Sequence, residues 1–246
     1  MRLALDHLII RAADPAATLA ELAERGGFPV LAPVEEVAGL ASGIVRAGGL
    51  DIEVLGIGRE PPPRPYGYGA GFVSDAGLEE TVAALRALAF PTSPVTRAQA
   101  GAGDDRRTWR AVHVHGLLPD PFPVPATTRR PGTLDRVAEA ATGALGRVPA
   151  VARAATRHAG RSMIVVTEYG FDAGAWRAHA GTGPEVAGVH LGTAGHRAAW
   201  GRFPLADDQR LHLHDGGAVG VTRIVLAEGP AEGFAIGDVA FEVAGR

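Results

Sequence analysis

The chain contains no cysteine and no lysine. The first absence excludes disulfides, thiolate metal sites and cysteine nucleophiles, and it fits a reducing compartment. The second excludes a Schiff-base lysine and a Walker-type phosphate loop. All 24 basic residues are therefore arginine. No apolar run approaches the roughly 20 residues that cross a bilayer, and the first residues lack the charged-then-apolar layout of a signal peptide. A cytoplasmic location with no membrane partner is expected. A net charge of -3 gives no electrostatic case for nucleic acid. Glycine-rich stretches such as GYGAG lack the order strand, G-x-G-x-x-G, helix, and no G-x-S-x-G elbow occurs.

What is present suffices for a large core: 246 residues, 46% of them apolar. Residues 3–12 read as a strand. Asp14-Pro15 then supplies a cap and a first-turn proline, Ala17, Leu19 and Leu22 carry a helical stripe, and Gly26-Gly27 ends it. Strands are predicted at 28–31, 40–46 and 50–57, the last two joined at Gly48-Gly49. After the linker REPPPRPYG the order restarts. It runs through a strand at 69–74, a cap at Asp75, a helix over 78–88 and strands at 94–97 and 108–117. The insertion 119–161, Pro-rich and then Ala-rich, is too long for an ordinary connection and reads as a lid. A strand resumes in SMIVVTEYG, and from Gly188 short strand-like runs form a β-rich tail packed on the same core.

Certain polar residues interrupt these runs. His7 lies between apolar neighbours, and Glu53 stands between Ile52 and Val54 on a predicted sheet. Glu168 follows MIVV in the same way. A carboxylate there is costly if buried without a partner, though an edge strand could expose it. In TWRAVHVHGL, Trp109, Ala111, His113 and His115 share one strand face. Histidines at i and i+2 lie roughly 6.5–7 Å apart along a strand, so both rings could lean onto one metal. Alternatively they line a polar face on which Trp109 stacks a ligand, or they face water. RLHLHDGG repeats the spacing with His212 and His214, next to a turn, and solvent exposure is expected there. His158, His179, His190 and His196 carry no spacing signal.

LDHLIIRAADP, closed about 45 residues later by LDIEVLG, resembles the vicinal oxygen chelate superfamily in its glyoxalase-like branch. The resemblance covers 3–58 closely and 66–170 less so. VVTEYGFD followed by GPEVAGVHLGT is similar to a subset with a third, degenerate unit. The resemblance implies an α+β fold of paired βαβββ units (1–58 and 66–170) forming a mixed-sheet cup, with residues 171–246 as the third unit. It implies a divalent metal (Zn, Mn, Ni, Co or Fe) held by the first and last strands of each unit. His7, Glu53 and Glu168 take those places, with His115 or His113 as a fourth ligand or proton shuttle. Counting seven back from Asp75, as His7 lies seven before Asp14, gives Tyr68 where the family usually has His, Gln or Glu. The implied activity is Lewis-acid lyase, isomerase or hydrolase chemistry on a small oxygenated molecule, with Glu168 or His113 moving a proton. Tyr68, Trp109 and Phe122 would contact the substrate, and a homodimer is an expected assembly. Two rivals remain. One is a metal-free protein that sequesters a small molecule through Trp109, Tyr66, Tyr68 and Phe122. The other is an extradiol-type Fe(II) dioxygenase using His7, one of His113 and His115, and a single acid.

Overall fold

β1 (Leu3–Arg11) is apolar on both faces because it runs through the middle of a sheet. In the computed structural model, which describes residues 1–37, 40–57, 61–101, 105–119, 162–230 and 232–245, β1 pairs parallel with β4 (Leu50–Gly56). On its other side it pairs antiparallel with β5 (Tyr66–Ser74). A parallel neighbour needs a crossover, and α1 (Pro15–Gly26) supplies it. The Asp14 carboxylate accepts from the Ala17 amide at 3.0 Å and starts the helix. Gly27 ends it at φ 67°, its amide donating to the Ala23 carbonyl at 3.1 Å. β2 (Val30–Val37), β3 (Leu40–Ala47) and β4 follow as a meander, turning at Gly48 with φ 59°. The expected βαβββ unit is present, and β2 starts and ends later than the 28–31 window suggests.

The second unit repeats the order with β5, α2 (Leu78–Ala87), β6 (Thr96–Ala100), β7 (Arg107–His113) and β8 (Met163–Tyr169). β8 lies parallel to β5, and the sheet reads β2-β3-β4-β1-β5-β8-β7-β6. Asp75 does not cap α2. Its carboxylate accepts from the Arg2 amide at 2.8 Å, and the cap position is Gly77. Residues 120–161, which hold Phe122 and nearly all of the expected lid, lie outside the described residues.

The tail supplies α3 (Ala173–Ala178), β9 (Val186–Thr193), α4 (Arg197–Trp200), β10 (Leu211–His214), β11 (Val219–Leu226), β12 (Phe234–Ile236) and β13 (Val239–Val243). These strands form a second sheet, β10-β9-β11-β13-β12. β9 is parallel to β10 and antiparallel to β11, and β11 is parallel to β13. That is the pairing of β4-β1-β5-β8 over again. These strands lie in the stretch, 171–246, that the resemblance implies is a third, degenerate unit.

Leu8, Ile10, Ala70 and Phe72 of the first sheet pack with Leu191, Val221 and Ile224 of the second, and α1 and α2 add Leu19, Leu22 and Leu85. Each such side chain contributes roughly 1.5–3 kcal/mol by leaving water. The sheets come closest at β5 and β11, where a Cβ on Gly67 would lie 1.8 Å from the Val221 carbonyl oxygen. This packing occupies one face of the first sheet. The other face curls inward until β2 and β6 approach, with Arg107 3.6 Å from Glu35. The result is a nearly closed cup. No helix among the described residues is long and apolar enough to cross a membrane.

Candidate functional site

The site begins with an irregularity in β1. Leu5 pairs with Phe72 and His7 with Gly71, so Asp6 is an extra residue in the strand. Such a bulge re-aims side chains. It lets two consecutive residues meet on the cup face, where Asp6 Oδ2 lies 2.9 Å from His7 Nδ1. Gly71 makes room for the ring: a Cβ there would sit 2.0 Å from the imidazole.

Around this pair lies a buried polar network. Asp6 Oδ2 also accepts from the Tyr169 hydroxyl at 2.6 Å, and Asp6 Oδ1 from Arg177 Nη2 at 2.7 Å. Arg177 Nε donates to Asp51 Oδ2 at 2.7 Å, and Arg46 Nη1 to Asp51 Oδ1 at 2.6 Å. Arg177 thus bridges two carboxylates from α3, whose start is capped by Asp172 accepting from Ala175. On the other side of His7, Nε2 faces Glu53 Oε2 at 3.7 Å, and Glu53 Oε1 accepts from Ser42 at 2.6 Å. Three carboxylates meet two guanidiniums, leaving one negative charge that a proton on His7 balances.

The titration directions agree with this count. Burial alone would lower His7, but its hydrogen bond to Asp6 and the charges of Asp6, Glu53 and Asp51 outweigh it, and its pKa is raised. Burial works to raise Asp6, yet His7, Arg177 and Tyr169 hold it well below the carboxylate range. Burial, with Asp6 alongside, pushes the Tyr169 phenol up.

Beyond the network the cup turns apolar. Ile9, Leu55, Tyr68 and Val165 form a separate buried cluster, with Tyr66 set edge-on to Tyr68 at 6.1 Å. Burial, with Tyr66 adding, pushes Tyr68 up to about 12. Tyr68 therefore lies on the face of His7, although Asp75, from which it was counted, is not a cap. An open cleft of about 390 Å³ at the ends of β5 and β8, bordered by Asp6, Leu78, Glu168, Tyr169, Asp172 and Arg177, reaches Asp6 but not His7 or Glu53. That volume suits a small molecule.

The structure brings His7 and Glu53 together, but it does not bring the remaining expected ligands to them. Glu168 alternates with Thr167 and Tyr169 and turns to the opposite face. There its Oε2 accepts from Arg110 Nε at 2.7 Å and its Oε1 from the Leu78 amide at 3.0 Å. A carboxylate at that helix start satisfies an open amide and meets the positive end of the dipole. Glu168 thus caps the start of α2 and does not face His7 and Glu53. His113 lies on the cup face in one row with Val165, Gly71 and His7. It is three strands from His7, on the order of 14 Å along a sheet. His115 lies past the end of β7, its amide bonded to the Pro91 carbonyl at 2.8 Å. Trp109 sits on the cup face opposite Tyr169.

Among the described residues no three His, Asp or Glu side chains are arranged to hold a metal ion. On the cup face the second unit sets Gly71 and Val165 in the row of His7. Two donors from one unit do not fit the three protein ligands that a catalytic zinc takes. They also do not make the two-histidine, one-carboxylate set of an Fe(II) oxygenase.

Sequence reading missed Asp6, Asp51, Tyr169, Arg177 and Arg46. Asp6-His7 was the available signal, since two consecutive polar residues in an apolar strand cannot both point away from the core without a bulge.

A side-chain NMR titration should separate two histidines. His190, on the second sheet, is held down to about 4 by burial, then by Arg223, His212 and His214. It should stay neutral until well below pH 6.5, whereas His7 should stay protonated above 6.5. The two act oppositely on stability. The contribution of His7 is full below its unfolded value and lost as pH rises through its raised pKa. That of His190 is full above 6.5 and lost as pH falls toward 4. Equal midpoints near 6.5 would contradict both environments.

No family model and no curated protein sequence matches the chain. Solved structures do. A hypothetical protein from Staphylococcus aureus matches over 98% of this chain and 99% of that one, at 9% identity and TM-score 0.63. Methylmalonyl-CoA epimerase from Mycobacterium tuberculosis matches over 67% and 86%, at 11% identity and TM-score 0.37. Homoprotocatechuate 2,3-dioxygenase from Arthrobacter globiformis matches over 90% of this chain and 62% of that one, at 10% identity and TM-score 0.46. This chain thus spans less than two thirds of the dioxygenase. At 9% identity the match to the Staphylococcus aureus protein is a likeness of fold alone. Two βαβββ units are joined back to back through β1 and β5, and their inner faces form a mixed-sheet cup.

Proposed function

We propose that the cup is an enzyme site for a small oxygenated molecule and that its chemistry is proton transfer. The line Asp6–His7–Glu53 on the cup face, with Asp6 and His7 buried and Glu53 half-buried, carries this reading. Asp6 fixes the ring through Nδ1 and stabilises the imidazolium, which leaves Nε2 to donate to a carbonyl or hydroxyl oxygen of the substrate. Glu53, beside Nε2, is placed to take a proton from the neighbouring carbon. Ser42 holds its other oxygen. The apolar cluster around Tyr68 takes the rest of the molecule, and Arg177 keeps Asp6 ionised throughout. Lyase and isomerase reactions of this kind need no further group from the second unit.

Metal-assisted chemistry, expected from the resemblance, would need ligands beyond His7 and Glu53, so no step is assigned to a metal. Sequestration without chemistry is the second reading, and the apolar cluster around Tyr68 favours it.

The test is solvent-deuterium exchange into a panel of hydroxyketones and 2-oxo acids, followed by proton NMR. The wild type should label a compound it binds at the carbon next to the carbonyl, and His7→Asn and Glu53→Gln should each lose that labelling. Binding without labelling in the wild type would leave sequestration as the function. Unchanged labelling in both variants would remove His7 and Glu53 from the chemistry.

A further inference from the structure

The cup has a second polar end. His7, Ile9 and Arg11 follow one another at two-residue steps on β1, so all three face the cup. Ile9 belongs to the apolar cluster, and Arg11 pairs across the sheet with Tyr66, which packs on that cluster. Arg11 Nη1 donates to the Tyr66 hydroxyl at 3.0 Å and Arg11 Nε to the Ile57 carbonyl at 3.0 Å. The guanidinium lies 6.0 Å from the centre of the Tyr66 ring. Four residues of strand separate Arg11 from His7, roughly 13 Å. Ile9 lies between them, clustered with Leu55, Tyr68 and Val165 and edged by the half-buried Leu40 and Met163. The cup thus runs from the His7 imidazole through an apolar middle to a cation. The charge of Arg11 reaches into that middle, where it opposes the rise of the Tyr68 pKa.

We propose that the molecule bound in the cup carries a carboxylate at the end remote from its carbonyl, and that Arg11 and Tyr66 bind that carboxylate. This rests on the reading of the cup as a site that presents a carbonyl compound to His7. A guanidinium matches a carboxylate in charge and in its fork of N–H donors, and hydrogen bonds between charged partners are the strong ones. Tyr66 adds to the match. Its oxygen accepts from Arg11, so its own proton is directed to a second acceptor. One guanidinium with one phenol suits a single negative charge. The apolar middle decides what joins the two ends. Carbon there leaves water, whereas a hydroxyl or charge would meet Ile9 and Leu55 without a partner. The ligand class is therefore a keto acid whose carbonyl and carboxylate are held apart by an apolar spacer. A 2-oxo acid, whose two groups are adjacent, is too short to reach from His7 to Arg11.

The test titrates the full chain, in a calorimeter, with keto acids of graded methylene spacer and with the methyl ester of each. The wild type should bind the best-fitting acid roughly 10–100-fold more tightly than its ester, the worth of a hydrogen bond to a charged group. Arg11→Gln should remove that preference by weakening the acid and sparing the ester. Tyr66→Phe should lose a smaller part of it, and Arg11→Lys should retain part. The ester comparison on the wild type and the lysine variant keep the test intact if Arg11→Gln does not fold. Equal affinity for acid and ester overturns the proposal, as does a panel in which no acid binds. So does a preference undiminished in Arg11→Gln, or one lost in His7→Asn, which would put the carboxylate on the imidazole. The chemistry fails separately. Acid preference without deuterium labelling leaves Arg11 in place and removes proton transfer, whereas equal labelling of acid and ester keeps proton transfer and removes Arg11.

Discussion

Arg177→Ala should lower the thermal midpoint by roughly 6–12 °C at neutral pH. Arg177 bridges Asp6 and Asp51, which are 6% and 2% exposed, so its removal leaves two buried carboxylates short of a counter-charge. Truncating one partner of a buried ion pair costs about 3 kcal/mol or more, and for a chain of this length each kcal/mol moves the midpoint by roughly 2–4 °C. The pH dependence identifies the cause. Asp6, with its pKa depressed in the fold, contributes stability above its unfolded value near 3.8, which is lost as the pH falls below it. Without Arg177 that contribution is smaller, so wild type and variant should converge in melts at acid pH. A constant gap from pH 7 down to pH 3 would mean that Arg177 acts through packing and not through charge.

Gly71→Ala should damage both stability and the site. The added methyl would lie 2.0 Å from the His7 ring, far inside contact distance, and the ring is buried against Asp6. Either the strand shifts or the imidazole leaves its pocket. Forcing a group into a packed site costs about 1–3 kcal/mol, a midpoint loss of roughly 2–12 °C. If the ring is displaced, its bond to Asp6 breaks and its pKa falls back toward 6.5. The His7 signal in an NMR titration reads this directly. A ring that titrates as in the wild type, in a protein of unchanged midpoint, would show that Gly71 is not the seat of the imidazole.

The first unit was legible in the sequence because its signals are local. Asp14, Pro15 and Gly27 delimit α1 by chemistry acting over a few residues, and Gly48-Gly49 marks a turn in the same way. His7 and Glu53 were found as polar residues interrupting apolar strands. The rest of the site was hidden because it is assembled across the chain: Tyr169 reaches Asp6 over 163 positions and Arg177 over 171. No periodicity reports such a contact. Glu168 was misplaced for another reason. Alternation in MIVVTEY shows that Glu168 and Tyr169 face opposite ways, but not which of them faces the cup. His190 looked unremarkable because only the parallel pairing of β9 with β10 sets it beside His212. Asp75 resembled Asp14 as a cap, yet its carboxylate was taken by the Arg2 amide and the helix start moved on to Gly77.

The central position of β1 also governs when this protein can fold. Its two sheet partners, β4 and β5, are made soon after it, but the Leu3 amide bonds to the Pro204 carbonyl and the Leu3 carbonyl to the Ala206 amide. At about 5–20 residues per second a ribosome needs roughly 10–40 s to reach those partners. Throughout that interval the side of β1 destined for the second sheet lacks the strands that complete its cover. Refolding of the whole chain faces the same wait in another form, since distant segments must meet before any of them is rewarded. The nascent N-terminal unit is thus the stage at which this chain is most exposed to aggregation, and the last strands of the second sheet end that exposure.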